Sequence, residues 1–177
     1  FHGASRLPVP GYRRRLGQLH AARLSPEACE DVFRMLGEAH RPLIYAGGGV
    51  VNAGAAQALR EFATAFDIPV VTTLMGIGAF DTTHPRSMRM LGMHGAAFAN
   101  YAVDDCDLLI AVGARFDDRV AGVPVKFARN ARHIIHLDID ASEINKVKRV
   151  HLSFVGVLSD ALAALLEHGR ATGFRRD

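Results

Sequence analysis

The sequence contains only two cysteines, Cys29 and Cys106, and no tryptophan among its 177 residues. Two isolated cysteines cannot form a secreted disulfide framework or a cysteine zinc site, so we expect both to be small core or surface residues in a reducing compartment. No apolar run reaches the roughly 18 residues that a membrane-spanning helix needs. These absences exclude a disulfide scaffold and predict no membrane partner.

An excess of charge of one sign is also lacking, since 21 Lys and Arg face 18 Asp and Glu. Residues 1–24 hold five arginines and no acid, but they lack interleaved aromatics and a groove-reading helix motif, so no nucleic-acid partner is predicted. Their prolines and glycines predict a linker from a preceding domain. Because the chain opens Phe1-His2-Gly3, without an initiator Met, we expect it to be a piece of a longer protein.

The composition, 49% apolar and 22% charged, is typical of one globular domain, which we place at 25–168, with a C-terminal linker at 169–177. Ser25, Pro26 and Glu27 predict a helix start, and this first helix extends to about His40. Short apolar runs predict strands at 42–46, 68–73, 107–113, 133–138 and 152–155. Helical spacing predicts further helices at about 52–67, 95–103 and 159–168, and 74–93 is expected to be irregular. This alternation predicts an open, doubly wound, mostly parallel Rossmann-like α/β sheet of five or six strands with helices on both faces.

The residues that follow the strands are expected to form the ligand crevice of such a sheet. Gly47, Gly48 and Gly49 follow the first strand, and their missing side chains would let backbone N–H groups approach a phosphate. Asn52 stands where the dinucleotide fingerprint has a third glycine, and Thr72-Thr73 stands where an NAD site would place an acid, which weakens the NAD interpretation. Alternatively, the three glycines only make a tight turn.

Two further segments place small or flexible residues at the crevice. One is Thr73-Leu74-Met75, and the other is Leu91-Gly92-Met93-His94. The methionines either fill the core or pack on a flat aromatic ring such as an isoalloxazine. No partner stands at a metal-ligand spacing from His94, so no metal is assigned.

Charged residues are concentrated after the third and fourth strands. Four charges lie between Arg115 and Arg119, next to Gly113 and Val120. The arginines could bind phosphate or flavin oxygens while Asp117 and Asp118 orient them, or the loop could be solvated and self-paired. The fourth strand ends in Asp138-Ile139-Asp140, where a carboxylate can accept from sugar hydroxyls, Ile139 can pack on a base, and Asp140 can cap a helical segment at 142–148. No nucleophile stands beside a general base, which favours binding over catalysis.

Five motifs together carry a family resemblance. They are Ala46-Gly47-Gly48-Gly49, Thr73-Leu74-Met75-Gly76, Leu91-Gly92-Met93-His94-Gly95, Gly113-Ala114-Arg115-Phe116-Asp117-Asp118-Arg119-Val120 and His136-Leu137-Asp138-Ile139-Asp140. With them the chain resembles, over residues 7–166, the central FAD-binding domain of the catalytic (large) subunit of acetohydroxyacid synthase (acetolactate synthase). This is a thiamine-diphosphate enzyme of branched-chain amino-acid biosynthesis.

The resemblance implies a cytoplasmic three-domain enzyme whose outer domains bind thiamine diphosphate and Mg²⁺ while the central domain holds FAD as a structural cofactor. The enzyme would condense two 2-oxoacids, pyruvate with pyruvate or with 2-oxobutyrate, with loss of carbon dioxide. It would act as a homodimer or tetramer, which a regulatory subunit could join. Neither the thiamine-activating glutamate nor a Gly-Asp-Gly motif is present, so no catalytic residue is expected in this chain and the chain alone should be inactive.

The resemblance also implies a role for each motif. It places 47–49 near the diphosphate and adenosine, 73–75 and 91–94 along the flavin, and Gly113, Arg115, Asp117, Arg119 and Val120 around the ribityl chain and phosphates. Asp138 and Ile139 would meet the adenosine ribose and base. Met93, Asp118 and Arg119 would also lie near the active-site mouth of the intact enzyme.

One residue departs from the family pattern. Val157 follows Gly156 where the family usually has an aspartate near the adenine, and the loss of one hydrogen bond predicts weaker FAD binding. Two alternatives remain open: a structural interaction domain with a degenerate nucleotide site, and an NAD-binding domain of related topology, such as that of a deacylase.

Overall fold

The computed structural model describes residues 22–117 and 125–176, together with residues 14, 17, 18 and 20. Within these residues, six strands form one sheet, and every pairing between neighbours is parallel. The strands are β1 (Pro42–Ala46), β2 (Val70–Thr72), β3 (Ser87–Met90), β4 (Leu108–Val112), β5 (His133–Asp138) and β6 (Leu152–Val155). Their order, β3-β2-β1-β4-β5-β6, is that of a doubly wound dinucleotide-binding sheet, which confirms the predicted fold class.

Helices cover both faces of this sheet. In the described part of the chain they are α1 (Pro26–Glu38), α2 (Gly48–Asn52), α3 (Ala56–Ala65), α4 (Ala97–Asp105) and α5 (Leu158–Ala171). The first begins as predicted, because Ser25 caps it by accepting a 3.2 Å hydrogen bond from the Ala28 amide. None of these helices is long and apolar enough to cross a membrane.

The side chains of each strand alternate between two hydrophobic clusters, one on each face. Ile44, Ile110 and Leu137 belong to the larger cluster, into which α1, α3 and α5 pack. Tyr45 and Leu109 belong to the smaller one, which α4 covers together with aromatic residues that follow β4. Both faces of the central strands are therefore dry, which explains why β1 and β4 have unbroken apolar sequences. Cys29 and Cys106 are buried, one in each cluster.

Three local predictions were wrong. Strand β3 lies inside the stretch expected to be irregular, at the edge of the sheet. The helix expected at 52–67 is two helices, because Gly54 adopts a φ of +63° between α2 and α3. Asp140 does cap the segment after β5, but only one 3₁₀ turn forms, Ala141–Glu143. Asn145, at a φ of +60°, then turns the backbone out of the helical region.

The last helix of the domain extends beyond its predicted end at residue 168. Helix α5 continues to Ala171, and Phe174 packs against Phe33 at a ring-centroid distance of 4.9 Å. The division of the chain into linkers and one domain remains a prediction.

At the amino-terminal edge of the sheet, Asp107 joins the starts of two strands. Its carboxylate accepts hydrogen bonds from the amides of His40 (2.8 Å) and Arg41 (2.9 Å), immediately before β1. Partial burial raises the pKa of Asp107, but these backbone hydrogen bonds lower it more, so the pKa lies below its ordinary value. The charged carboxylate is therefore the form that stabilises the fold.

We expect Asp107→Ala to lower the free energy of unfolding by about 2 kcal/mol, since two amides lose a charged acceptor. Because folding lowers the pKa of Asp107, its stabilisation should be present above the unfolded value of about 3.9 and disappear as the pH falls through the lower folded value. Urea denaturation at several pH values measures both effects. Asp105→Ala, at an exposed neighbouring position, is the control. Equal stabilities of the two variants at neutral pH would contradict the prediction.

Candidate functional site

A groove of about 950 Å³ runs along the carboxyl-terminal edge of the sheet. Because the strands are parallel, their carboxyl ends all reach this edge. The lining residues end or follow five strands that are consecutive in space, β3, β2, β1, β4 and β5. They are Gly47, Gly48, Gly49, Asn52, Thr73, Leu74, Met75, Met90, Leu91, Gly92, Met93, His94, Gly113, Arg115, Asp117, Asp138, Asp140 and Glu143. The volume lies at the upper end of the range for small-molecule sites, which suits a large ligand.

The glycines after β1 form the centre of the groove by packing against the end of β4. The Gly47 amide donates to the Val112 carbonyl (3.0 Å), and the Gly49 amide donates to the Gly113 carbonyl (2.9 Å). A Cβ atom on Gly49 would lie 2.7 Å from the Cα of Gly113, a distance that real side chains do not tolerate. Gly47 and Gly49 therefore make the tight turn between β1 and α2, whereas the amide of Gly48 has no such partner among the described backbone groups.

The β2 and β3 side of the groove is apolar and exposed. Thr73 caps the turn Leu74–Gly76 through a 3.0 Å hydrogen bond from the Gly76 amide to its hydroxyl. The turn presents Leu74 and Met75, which are 67% and 74% exposed, and Met93 across the groove is 79% exposed. These methionines are therefore not core filler. They form the lip of the groove.

Asn100 on α4 fixes the segment that carries Met93. Its side chain forms two hydrogen bonds with Gly92, accepting from the amide (2.8 Å) and donating to the carbonyl (3.1 Å). Gly92 has a φ of +102°, which an L side chain rarely adopts. Sequence reasoning missed Asn100, because an asparagine inside a helix carries no signal of what it contacts.

Arg115 lies after β4 with its backbone fixed and its side chain exposed in the groove. The fully buried Tyr45 hydroxyl donates to the Arg115 carbonyl (2.9 Å), and the Tyr45 ring packs on Phe116. Burial, reinforced by the negative charge of Asp117, raises the pKa of Tyr45, so the phenol keeps its proton for this bond. The Oδ1 atom of Asp117 is buried and has no hydrogen-bond partner among the described residues.

The β5 side of the groove is acidic. The Oδ1 atom of Asp138 accepts a 2.9 Å hydrogen bond from the Asp140 amide, which leaves Oδ2 without a protein donor within 3.5 Å in the part of the chain described. Hydrogen bonds from the hydroxyl and amide of Ser142 lower the pKa of Asp140. Glu143 pairs with Lys146 at 2.9 Å. Asp138 is thus the buried carboxylate of this end, and Asp140 is the exposed one.

The groove therefore changes character along its length. An apolar end lies beside β2 and β3, glycines and one arginine occupy the centre, and carboxylates line the end beside β5. A ligand that matches the groove from one end to the other has a flat apolar part, an anionic centre and a hydroxyl-rich part. This is the chemistry of a dinucleotide.

Most of the residues that the sequence singled out meet at this groove. Ile139 does not line it and is 47% exposed beside it, and Asp118, Arg119 and Val120 lie outside the described residues. Four lining residues were not assigned as ligand contacts: Asn52, Met90, Asp140 and Glu143. Val157 does not line the groove but is the N-cap residue of α5, which therefore has no side-chain cap. An aspartate there would supply one.

The family model and the relatives that match this chain indicate the same family. The family model described as "Thiamine pyrophosphate enzyme, central domain" matches residues 29–165. The chain is 47% identical to the probable acetolactate synthase 2, chloroplastic, of Oryza sativa subsp. japonica, over 96% of this chain and 25% of that protein. It is 46% identical to the acetolactate synthase large subunit of Corynebacterium glutamicum, over 94% of this chain and 26% of that protein.

A third relative is the acetolactate synthase isozyme 2 large subunit of Escherichia coli, 50% identical over 77% of this chain and 25% of that protein. The chain thus spans about a quarter of the length of the relatives that it matches. The matches confirm the resemblance drawn from the strand-end motifs. The chain belongs to the family of thiamine pyrophosphate enzyme central domains, and it is similar to the corresponding part of acetolactate synthases.

Proposed function

We propose that this chain is the FAD-holding central domain of an acetolactate synthase. The observation that carries the proposal is the groove, which joins an apolar end, a glycine-rich centre with Arg115, and a carboxylate end in the order in which FAD presents its parts. Similarity to acetolactate synthases over most of the chain supports the same assignment.

The residues present fit FAD in chemical type. Met75 and Met93 offer exposed thioethers to an isoalloxazine ring, and Arg115 offers a forked donor to the diphosphate. Asp138 retains a carboxylate oxygen for ribose hydroxyls. The flavin would serve as a structural cofactor, as the family resemblance implies. This chain's own residues would bind and orient it and exclude water from its apolar end.

The whole enzyme would join two 2-oxoacids, pyruvate with pyruvate or 2-oxobutyrate, with loss of carbon dioxide. Thiamine diphosphate and Mg²⁺ would bind to its other domains, and the enzyme would work in the cytoplasm as a homodimer or tetramer, with a regulatory subunit in some forms. The family resemblance implies these properties, and they depend on the same proposal.

Titration of FAD with the 177-residue chain tests the cofactor. We expect saturable quenching of flavin fluorescence that excess NAD⁺ does not reverse, because the site lacks the acid after β2 that an NAD ribose requires. Displacement by NAD⁺ would favour a nicotinamide site, and no quenching at high protein concentration would favour a structural module with a degenerate site.

The enzymatic part of the proposal needs a separate test. We expect the intact enzyme, supplied with thiamine diphosphate, Mg²⁺ and FAD, to form acetolactate from pyruvate, and this chain alone to form none. No acetolactate from the intact enzyme with every cofactor present would contradict the proposed reaction.

A further inference from the structure

His136 is a fully buried polar side chain directly behind the carboxylate end of the groove. It lies two residues before Asp138 on β5, so both side chains project from the same face of the sheet. Its exposed fraction is 0%, and neither ring nitrogen has a hydrogen-bond partner among the described residues. A buried polar group without a partner destabilises a fold and requires an explanation.

Among the described residues, the carboxylate of Asp138 is the charged group that lies within 4 Å of the His136 ring. Its neighbours in the sheet are Ala111 on β4 and Ser153 on β6, and Phe116 presents a ring edge-to-face at a centroid distance of 5.3 Å. The Nε2 atom lies 3.6 Å from Oδ2 of Asp138, the oxygen that the Asp140 amide does not occupy. This distance is slightly too long for a hydrogen bond. Contacts in ligand-free sites often shorten when the ligand binds.

We propose that His136 is a positioning residue of the nucleotide site, which donates a hydrogen bond from Nε2 to Asp138 when Asp138 engages the ribose. The Asp140 amide holds one carboxylate oxygen and His136 holds the other from behind, so the remaining acceptor directions of the carboxylate point into the groove. The inference rests on the proposed function, because it assigns to His136 the orientation of one contact to the adenosine half of FAD.

A matched pair of substitutions separates donation from packing. Glutamine and methionine have similar length and shape, but only glutamine can donate to Asp138. We expect His136→Met to weaken FAD binding about tenfold and His136→Gln to stay within about threefold of the unsubstituted chain, as measured by fluorescence titration. His133→Met and His133→Gln, at the opposite end of the same strand and beside Glu38, serve as controls and should leave the affinity unchanged.

A spectroscopic measurement on the unsubstituted chain keeps the test independent of folding. In ¹⁵N-labelled protein with FAD, the His136 ring should carry a proton on Nε2, and its signal should shift on FAD addition while that of His133 does not. An unprotonated Nε2 in the FAD complex would overturn the inference. So would equal FAD affinities of the two His136 variants. If the unsubstituted chain binds no FAD at all, the proposed function fails and this inference fails with it.

Discussion

Gly113→Ala is expected to lower the free energy of unfolding by about 3 kcal/mol. Gly113 directly follows β4 and has a φ of +54°, a conformation that costs an L residue roughly 1–2 kcal/mol. Its added Cβ atom would lie 2.7 Å from the Val50 amide nitrogen and 2.8 Å from the Gly49 Cα atom. Those atoms are backbone and cannot rotate away, so overpacking adds roughly another 1–3 kcal/mol.

Gly54→Ala provides a matched control for this substitution. Gly54 has a φ of +63°, close to that of Gly113, but an added Cβ atom would meet no other atom within 4 Å. We expect this variant to lose only the conformational part, about 1 kcal/mol. Guanidinium denaturation measures the loss in the free energy of unfolding for each variant. The difference between the two losses is the cost of the close approach between the β1 turn and the end of β4. Equal losses in the two variants would show that the approach is not tight.

The central strands could be predicted because a strand buried on both faces consists almost entirely of apolar residues. β1 and β5 match their predicted bounds, since each is an apolar run bordered by polar or turn residues. β3 was missed for the opposite reason. It has the sequence Ser-Met-Arg-Met, is half-buried, and pairs on one side only, with β2. Its register shifts beside Arg89, which has a φ of +59°. An edge strand of this kind lacks the continuous apolar run of a buried parallel strand.

The groove could be predicted from topology, but the partners of its residues could not. A parallel sheet brings the residues that follow its strands to one edge, so glycines, methionines and charges far apart in sequence were expected to meet there. That the amides of Gly47 and Gly49 donate to the carbonyls of Val112 and Gly113 depends on the distance between two strand ends. The hydrogen bonds between Asn100 and Gly92 likewise depend on packing between elements. So does the position of His136 beside Asp138. Such contacts leave no periodic pattern in a sequence.

Arg115→Met is expected to weaken FAD binding about thirtyfold. Arg115 is the lone arginine or lysine among the described residues that line the groove, whereas Asp117, Asp138, Asp140 and Glu143 all contribute negative charge. Within the described lining, a diphosphate therefore has one guanidinium to offset several carboxylates. Hydrogen bonds between charged partners contribute about 1.5–3 kcal/mol, which corresponds to a loss of roughly ten- to 150-fold. Methionine keeps most of the aliphatic length, so packing along the groove changes little.

Arg132→Met removes the same charge at the other edge of the sheet. Arg132 is exposed, directly precedes β5 at its amino end, and is absent from the groove lining. If Arg115 binds the diphosphate directly, FAD affinity should fall only in Arg115→Met, and the weakening of FAD binding by added salt should become shallower in that variant alone. Similar losses in both variants would mean that the overall positive charge of the chain attracts FAD. No loss in either variant would contradict the assignment of Arg115 to the diphosphate.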